Sequence, residues 1–290
     1  MATVIDGTGD VAPAADQLRA ISIVITSGQR RMGEAEFAPL PSLGLIHCVG
    51  AGVDQIDVDA AARRGITITR GSGVNAATVA DHAMALLLSL VRRIPELDRR
   101  TRHDGWSSSA APDEIADRRI GIVGMGPVGR AIAQRAAAFG AAIAYTARRP
   151  ASDVAHAYVE SALALASESD VLAIACPDTP QTFHLVDARV LEALGPTGLV
   201  VNVGRGRIVD TAALIDALRS GRIAGAGLDV VEGEPATPDA LRDLPNVVLT
   251  PHVAGASPSS LRRMRELMLA NVRAFIGGTA LFGVVTGAAP

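Results

Sequence analysis

RIGIVGMGPVGRAIAQRAAAFGAAIAYTARRP, residues 119–150, decides the reading of this chain. A β-branched run from Arg119 meets a cluster of glycines, and an Ala-rich helical stretch follows from Pro127 to Gly140, which ends it. A second strand-like run, Ala142 to Ala147, comes next. Strand, glycine turn, helix and strand make the βαβ unit of a parallel sheet. Inside it, Gly124-Met125-Gly126-Pro127-Val128-Gly129 has the spacing G-x-G-x-x-G. That spacing alone is weak, but between a strand and a helix each glycine has a task. Gly124 allows the tight turn, Gly126 lets a pyrophosphate approach the backbone, and Gly129 lets helix and strand pack closely. The helix N-terminus then faces the phosphate charge. A dinucleotide site is therefore expected at 124–129.

The end of the following strand selects the dinucleotide. An Asp or Glu about 20 residues past the glycines would bind a ribose 2′-hydroxyl and repel a 2′-phosphate. Here the run is Tyr145-Thr146-Ala147-Arg148-Arg149-Pro150, with no acid. Two guanidiniums have the fork geometry that grips phosphate. NADP(H) is thus expected in preference to NAD(H), with Arg148 and Arg149 as the selecting residues.

Outward from this unit the same alternation recurs. Strands are expected at 22–26, 44–50, 66–70, 171–175, 198–203, 224–230 and 246–252. Helices are expected at Val58–Gly65, at Thr211–Gly221, and at 257–276, where the pattern is amphipathic. A long helical pattern from Ala76 to Leu97, broken at Pro95, is apolar on more than one face, so burial between domains or subunits is expected. Trp106 is expected to anchor packing.

Composition bounds the function. The chain has 290 residues, 49% of them hydrophobic, which is ample for one large core or two smaller ones. A net charge of −3 gives no electrostatic case for nucleic acid. All 27 basic residues are arginine, which excludes Schiff-base chemistry and a phosphate-loop lysine. Cys48 and Cys176 make neither a disulfide framework nor a zinc spacing, and both read as packing groups in a reducing cytoplasm. No metal site is expected. No signal-peptide pattern and no apolar run of membrane-spanning length occurs, so no membrane partner is expected.

Three later motifs place ionisable residues at strand ends, where open α/β sheets build their sites. Arg205 in Asn202-Val203-Gly204-Arg205-Gly206 sits between glycines and can grip a carboxylate bidentately. Glu234 closes Asp229-Val230-Val231-Glu232-Gly233-Glu234-Pro235. His252, in Thr250-Pro251-His252-Val253-Ala254-Gly255, is well placed for proton transfer near neutral pH. Reducing a ketone by hydride needs a proton donor, and a carboxylate beside the imidazole would hold its tautomer. The remaining histidines, His47, His82, His103, His156 and His184, are not needed for this chemistry, and a structural role is expected for His82.

With these motifs on the page, the chain resembles the D-isomer-specific 2-hydroxyacid dehydrogenases. The likeness runs from about Ile21 through VGAGVDQID (49–57), GVNAATVADHAMALLL (73–88), GIVGMGPVGRAIA (121–133), ACPDTPQTFHLV (175–186), VNVGRGRIVD (201–210), LDVVEGEP (228–235) and LTPHVAG (249–255). The resemblance implies that Arg205 binds the substrate carboxylate and carbonyl, that Glu234 partners the histidine and that His252 is the acid/base. It implies that Asp229 faces the nicotinamide carboxamide. It also assigns Met125, Cys176, Pro177, Thr182, Val203 and Gly255 to the cofactor, beside Arg205 and His252. Val49, Gly50, Ala51 and Gly52 look like the loop whose backbone N–H groups hold the substrate carboxylate.

The implied fold is α/β, two doubly wound parallel-sheet domains. A Rossmann cofactor domain, residues 95–263, is inserted in a smaller flavodoxin-like substrate domain, residues 1–94 and 264–290, with a cleft that closes to exclude water. Only about twenty residues precede the strand at 22–26, too few for the βα unit with which the family usually opens, so a shortened substrate domain is expected. Val231 stands where the family commonly has an aromatic residue, which would loosen the pocket wall. The tract most resembles the NADPH-preferring glyoxylate/hydroxypyruvate reductase branch, implying a small 2-keto acid substrate, a homodimer and a cytoplasmic enzyme. The alternatives are a corepressor-like cofactor-sensing protein on the same fold, or an enzyme that oxidises formate or phosphite, which would favour NAD.

Overall fold

The structure, a computed structural model, describes residues 14–28, 30–107, 111–116 and 118–285. Its strands are β1 (Ile23–Thr26), β2 (Leu45–Cys48), β3 (Thr67–Arg70), β4 (Arg119–Val123), β5 (Ala142–Thr146), β6 (Ala157–Tyr158), β7 (Val171–Ile174), β8 (Leu199–Asn202), β9 (Gly225–Leu228), β10 (Val247–Leu249) and β11 (Val284–Val285). Its α-helices are α1 (Ala15–Ala20), α2 (Glu34–Phe37), α3 (Val58–Arg63), α4 (Ala76–Val91), α5 (Ile94–Asp104), α6 (Pro127–Ala138), α7 (Ala162–Ser167), α8 (Ala188–Leu194), α9 (Thr211–Arg219), α10 (Asp239–Arg242) and α11 (Pro258–Ile276). A 3₁₀ turn covers Gly206–Ile208. None of these helices is long and apolar enough to cross a membrane.

The chain divides into two units, Met1–Asn75 with Pro258–Pro290, and Ala76–Ser257. In the first, β1, β2 and β3 pair in parallel and the short β11 adds antiparallel to β3. Phe37, Ile46, Cys48, Ile56, Ala60, Ala61 and Ile68 are the buried centre of its core. His47 lies wholly buried on β2, its Nδ1 at 2.9 Å from the Thr69 hydroxyl, and its Nε2 has no hydrogen-bond partner among the described residues. Burial pushes the His47 pKa down, because the imidazolium would lose its hydration.

The second unit is a parallel seven-stranded sheet in the order β10-β9-β8-β7-β4-β5-β6. The order reverses between β4 and β7, which is the switch point of a doubly wound sheet. β7, β8 and β9 are buried at every position, as expected for strands covered on both faces. One apolar cluster joins α4 and α6 to the sheet, and the other joins α7, α8 and α9.

This division differs from the expected boundaries at 94/95 and 263/264. Helix α4 packs inside the cofactor unit, where Val79, Ala80, Ala83, Met84, Leu86, Leu87 and Val91 all belong to its core. Its close seat on β9 is opened by glycines: a Cβ at Gly227 would stand 3.0 Å from the Leu86 Cβ. The apolar 83–91 stretch is therefore consumed within one chain and is no evidence for a subunit interface. The break also moves. α4 ends at Val91, Arg93 turns left-handed at φ 53°, and Pro95 lies in the first turn of α5, where its missing N–H costs nothing. Trp106, expected in packing, is 92% exposed in the loop after α5.

Candidate active site

The glycine motif stands at the switch point. Gly124 follows β4 with φ +101°, a conformation that disfavours a side chain, and an added Cβ would lie 2.7 Å from the Cys176 nitrogen beyond β7. A Cβ on Gly129 would overlap the Gly124 carbonyl oxygen. Gly126 differs from both. It is the N-cap of α6 and nothing lies within 4 Å of the Cβ it lacks. Two glycines close the turn and one leaves open space before a helix N-terminus, which fits a pyrophosphate. Met125 is buried beside the motif, Pro127 occupies the first helical position, and Val128 packs on the core.

Arg148 and Arg149 lie exposed just past β5, and neither enters an ion pair among the described residues. The next acid along the chain, Asp153, is gripped through both oxygens by Arg130 at 2.9 Å. The loop itself is held in shape by two tyrosines. The Ala151 N–H donates to Tyr145 Oη at 2.8 Å, and Tyr158 donates to the Ala147 carbonyl at 3.3 Å. Beyond β7, Thr182 donates its hydroxyl proton to the Pro177 carbonyl at 2.8 Å, which shapes the turn after Cys176. Burial pushes the Cys176 thiol up to about 12, so it is an inert neutral group.

The catalytic candidates come from the ends of β8, β9 and β10, which are neighbours in the sheet. Asn202, buried at the end of β8, shapes the Arg205 loop: its Oδ1 accepts from the Gly204 N–H and its Nδ2 donates to the Arg205 carbonyl, both at 3.0 Å. Arg205 is half-buried and donates to the Gly204 carbonyl at 2.8 Å. A Cβ on Gly206 would overlap the Val231 carbonyl, so only glycine lets this loop touch the one carrying Glu234.

His252 Nδ1 and Glu234 Oε2 are 2.6 Å apart, while Glu234 Oε1 accepts from the Val231 N–H at 3.0 Å. With the carboxylate held at both oxygens and able only to accept, the imidazole must carry its proton on Nδ1. His252 has φ +55°, unusual for a side-chain-bearing residue. Its backbone N–H donates to the Asp229 carbonyl at 2.8 Å. The Asp229 carboxylate is 2% exposed and accepts from Thr250 Oγ1 at 2.6 Å and from the Val253 and Ala254 N–H groups at 2.9 Å. Three of its roughly four lone-pair sites serve its own loop, which leaves one for a carboxamide. Val203 is buried at the end of β8, and Gly255 is half-buried past the His252 loop.

In the other unit, the 49–52 loop follows β2. It is gripped between Gly28, whose absent Cβ would overlap the Gly52 carbonyl oxygen, and Gly71, whose N–H donates to Gly50 at 2.9 Å. The Val49 N–H already donates to the Thr26 carbonyl at 2.9 Å, so Val49 has no amide to offer a substrate.

Sequence reasoning gave no role to Asn202 or Thr250, expected only a structural role for His82, and overlooked a second histidine–carboxylate pair. His184 Nε2 meets Glu232 Oε1 at 2.8 Å, and Glu232 Oε2 accepts from the Thr211 N–H at 3.2 Å. Burial works to raise the Glu232 pKa, but the His184 and Thr211 hydrogen bonds together outweigh it and the net shift is downward. The advance signals were Asn202 inside VNVGRG and Glu232 sharing a motif with Glu234.

The profile of the family described as D-isomer specific 2-hydroxyacid dehydrogenase, NAD binding domain, matches residues 84–254. A glyoxylate/hydroxypyruvate reductase of Arabidopsis thaliana is 40% identical over 264 residues, spanning 90% of this chain and 82% of that protein. A hydroxyphenylpyruvate reductase of Plectranthus scutellarioides is 38% identical over 268 residues, spanning 91% and 86%. Among solved structures, the NADPH-dependent glyoxylate/hydroxypyruvate reductase of Sinorhizobium meliloti, in complex with NADP and malonate, superposes with a TM-score of 0.88 at 37% identity, covering 94% of this chain and 88% of that one. The chain therefore belongs to the D-isomer-specific 2-hydroxyacid dehydrogenase family of NAD(P)-dependent oxidoreductases.

Proposed function

We propose that the protein is an NADPH-dependent reductase of a small 2-keto acid such as glyoxylate or hydroxypyruvate. The observation that carries the reading is the 2.6 Å pair between His252 Nδ1 and Glu234 Oε2, built where three strand ends meet. The 124–129 turn and the α6 N-terminus would hold the pyrophosphate, with Cys176, Pro177, Thr182, Val203, Asp229 and Gly255 lining the rest of the cofactor's path. Arg148 and Arg149 would bind the 2′-phosphate, a preference supported by the missing acid and by the Asp153 carboxylate being held by Arg130. The NADP-bound S. meliloti relative supports it as well.

Arg205 binds the substrate carboxylate, and the Gly50, Ala51 and Gly52 amides of the other unit are separate candidates for binding a carboxylate. When bound, the reduced nicotinamide supplies the hydride. His252, as imidazolium, gives its Nε2 proton to the carbonyl oxygen, and Glu234 keeps the Nδ1 proton and stabilises the positive ring. A bidentate guanidinium fixes the carbonyl so that its two faces are not equivalent. The protein is proposed to work in the cytoplasm as a homodimer. The test is a panel of 2-keto acids, extending to hydroxyphenylpyruvate, assayed with NADPH and NADH in parallel. The His252→Ala variant should bind NADPH like wild type and lose turnover by about 10²–10⁴-fold. Wild-type turnover in that variant would overturn the role given to His252.

A further inference from the structure

Helix α4 brings His82 to the back of the His252 loop, 168 residues away in the chain from Thr250. His82 Nε2 and Thr250 Oγ1 are 2.8 Å apart, and Thr250 Oγ1 donates to Asp229 Oδ1 at 2.6 Å. A hydroxyl has one proton, and that proton is committed to a carboxylate that can only accept. Thr250 must therefore accept from His82, so His82 carries a proton on Nε2. The relay runs in one direction, His82 to Thr250 to Asp229. Nε2 is also 3.5 Å from Asp229 Oδ1 itself. Among the described residues, no arginine and no other histidine lies within ion-pair distance of that buried carboxylate.

Asp229 grips the loop that presents His252 at three backbone points: the N–H groups of Val253 and Ala254 through its carboxylate, and that of His252 through its carbonyl. His252 needs such a grip, because its left-handed backbone persists only where the surroundings over-determine it. We infer that His82 is a positioning residue for the reaction: through the Thr250 hydroxyl it orients the Asp229 carboxylate that clamps the His252 loop. Helix α4 is a firm base for this. Arg135 of α6 ties it down by donating to Asp81 Oδ1 at 2.6 Å and to the Ala77 carbonyl at 3.2 Å. The inference rests on the reading of His252 as proton donor.

Two experiments test it on the full chain. In protein labelled with ¹⁵N-histidine, the long-range ¹H–¹⁵N spectrum reports each ring's tautomer, and the His82→Gln spectrum identifies the His82 signals. A neutral His82 carrying its proton on Nδ1 overturns the relay. Kinetics then compare His82→Gln with His82→Asn. The Gln amide reaches the place of Nε2 and donates there, whereas the Asn amide is too short to reach Thr250. His82→Asn should lose about tenfold in kcat, the worth of roughly one hydrogen bond. KM and the NADPH dissociation constant, read by cofactor fluorescence, should stay within about twofold of wild type. His82→Gln should recover most of the loss. A Thr250→Val background should make Gln and Asn equivalent, because the path runs through that hydroxyl. Equal kcat for the two variants in the protein that keeps Thr250 overturns the inference while leaving the reductase reading intact. A wild-type protein that turns over no 2-keto acid instead overturns the reductase reading.

Discussion

Alanine at Gly129 and alanine at Gly126 should separate folding from cofactor binding, since one new methyl meets backbone and the other meets open space. At Gly129 the added Cβ overlaps the Gly124 carbonyl oxygen and stands 3.0 Å from the Gly124 carbonyl carbon and 3.2 Å from Ile122 Cγ2. Neither the turn nor the strand can rotate out of the way. Helix α6 must then move off β4 by on the order of an ångström, loosening Ile132, Ala133 and Ala136 from the buried cluster they share with Ile120 and Ile122. Overpacking of this kind costs about 1–3 kcal/mol. For a unit of roughly 150–250 residues each kcal/mol lowers Tm by about 2–4 °C, so Gly129→Ala should lose about 2–12 °C. At Gly126 the backbone is ordinary, φ −76°, and the new methyl touches nothing. Losing a glycine N-cap costs under about 1 kcal/mol, so Tm should fall less than in Gly129→Ala. The same methyl fills the approach of the pyrophosphate, and NADPH affinity should drop by roughly tenfold or more. Thermal unfolding followed by circular dichroism and NADPH fluorescence titration read the two quantities. A Gly129→Ala protein with wild-type Tm, or a Gly126→Ala protein with wild-type NADPH affinity, refutes the division of labour argued here.

Replacing Arg148 and Arg149 together by alanine should raise KM for NADPH about 10–100-fold and leave KM for NADH unchanged, since charge-assisted bonds to phosphate are the ones removed. Parallel steady-state assays decide, and an equal loss for both cofactors would contradict the assignment. Stability should fall with acid through His47. Its folded pKa lies below its ordinary value, so the unfolded chain binds the proton first and stability drops as pH falls below about 6.5. The slope is at most about 1.4 kcal/mol per pH unit from this one group, and urea titrations of wild type and His47→Gln at several pH values should differ by it. Burial raises the thiol of Cys48 to about 11 and that of Cys176 to about 12. Alkylation by iodoacetamide at pH 8 should therefore run about 100-fold or more slower in the folded protein than in urea, and equal rates would refute the burial argument.

The motif G-x-G-x-x-G could be read without a structure because its demands are local. A turn at φ +101° and a helix start within three residues are satisfied or refused by the residues concerned. The strands at 119–124, 142–147 and 171–175 were equally legible, since a parallel sheet covered on both faces needs short, continuously apolar runs. Arg205, Glu234 and His252 could be named because each ends such a run. Helices α7 and α8 were less visible, although Ser161 and Asp187 cap them, because each spans only six or seven residues and shows too little periodicity.

What the chain's own order determined, then, was the βαβ alternation, the cofactor turn and the identity of the three strand-end side chains, all set by steric rules that act within a few residues. Tertiary structure alone decided which unit keeps helix α4, why Trp106 is left exposed, and that His82 meets Thr250 and Asp229. These depend on which strands and helices become neighbours, and β9, β10 and α4 are brought together only when the whole apolar cluster closes around them.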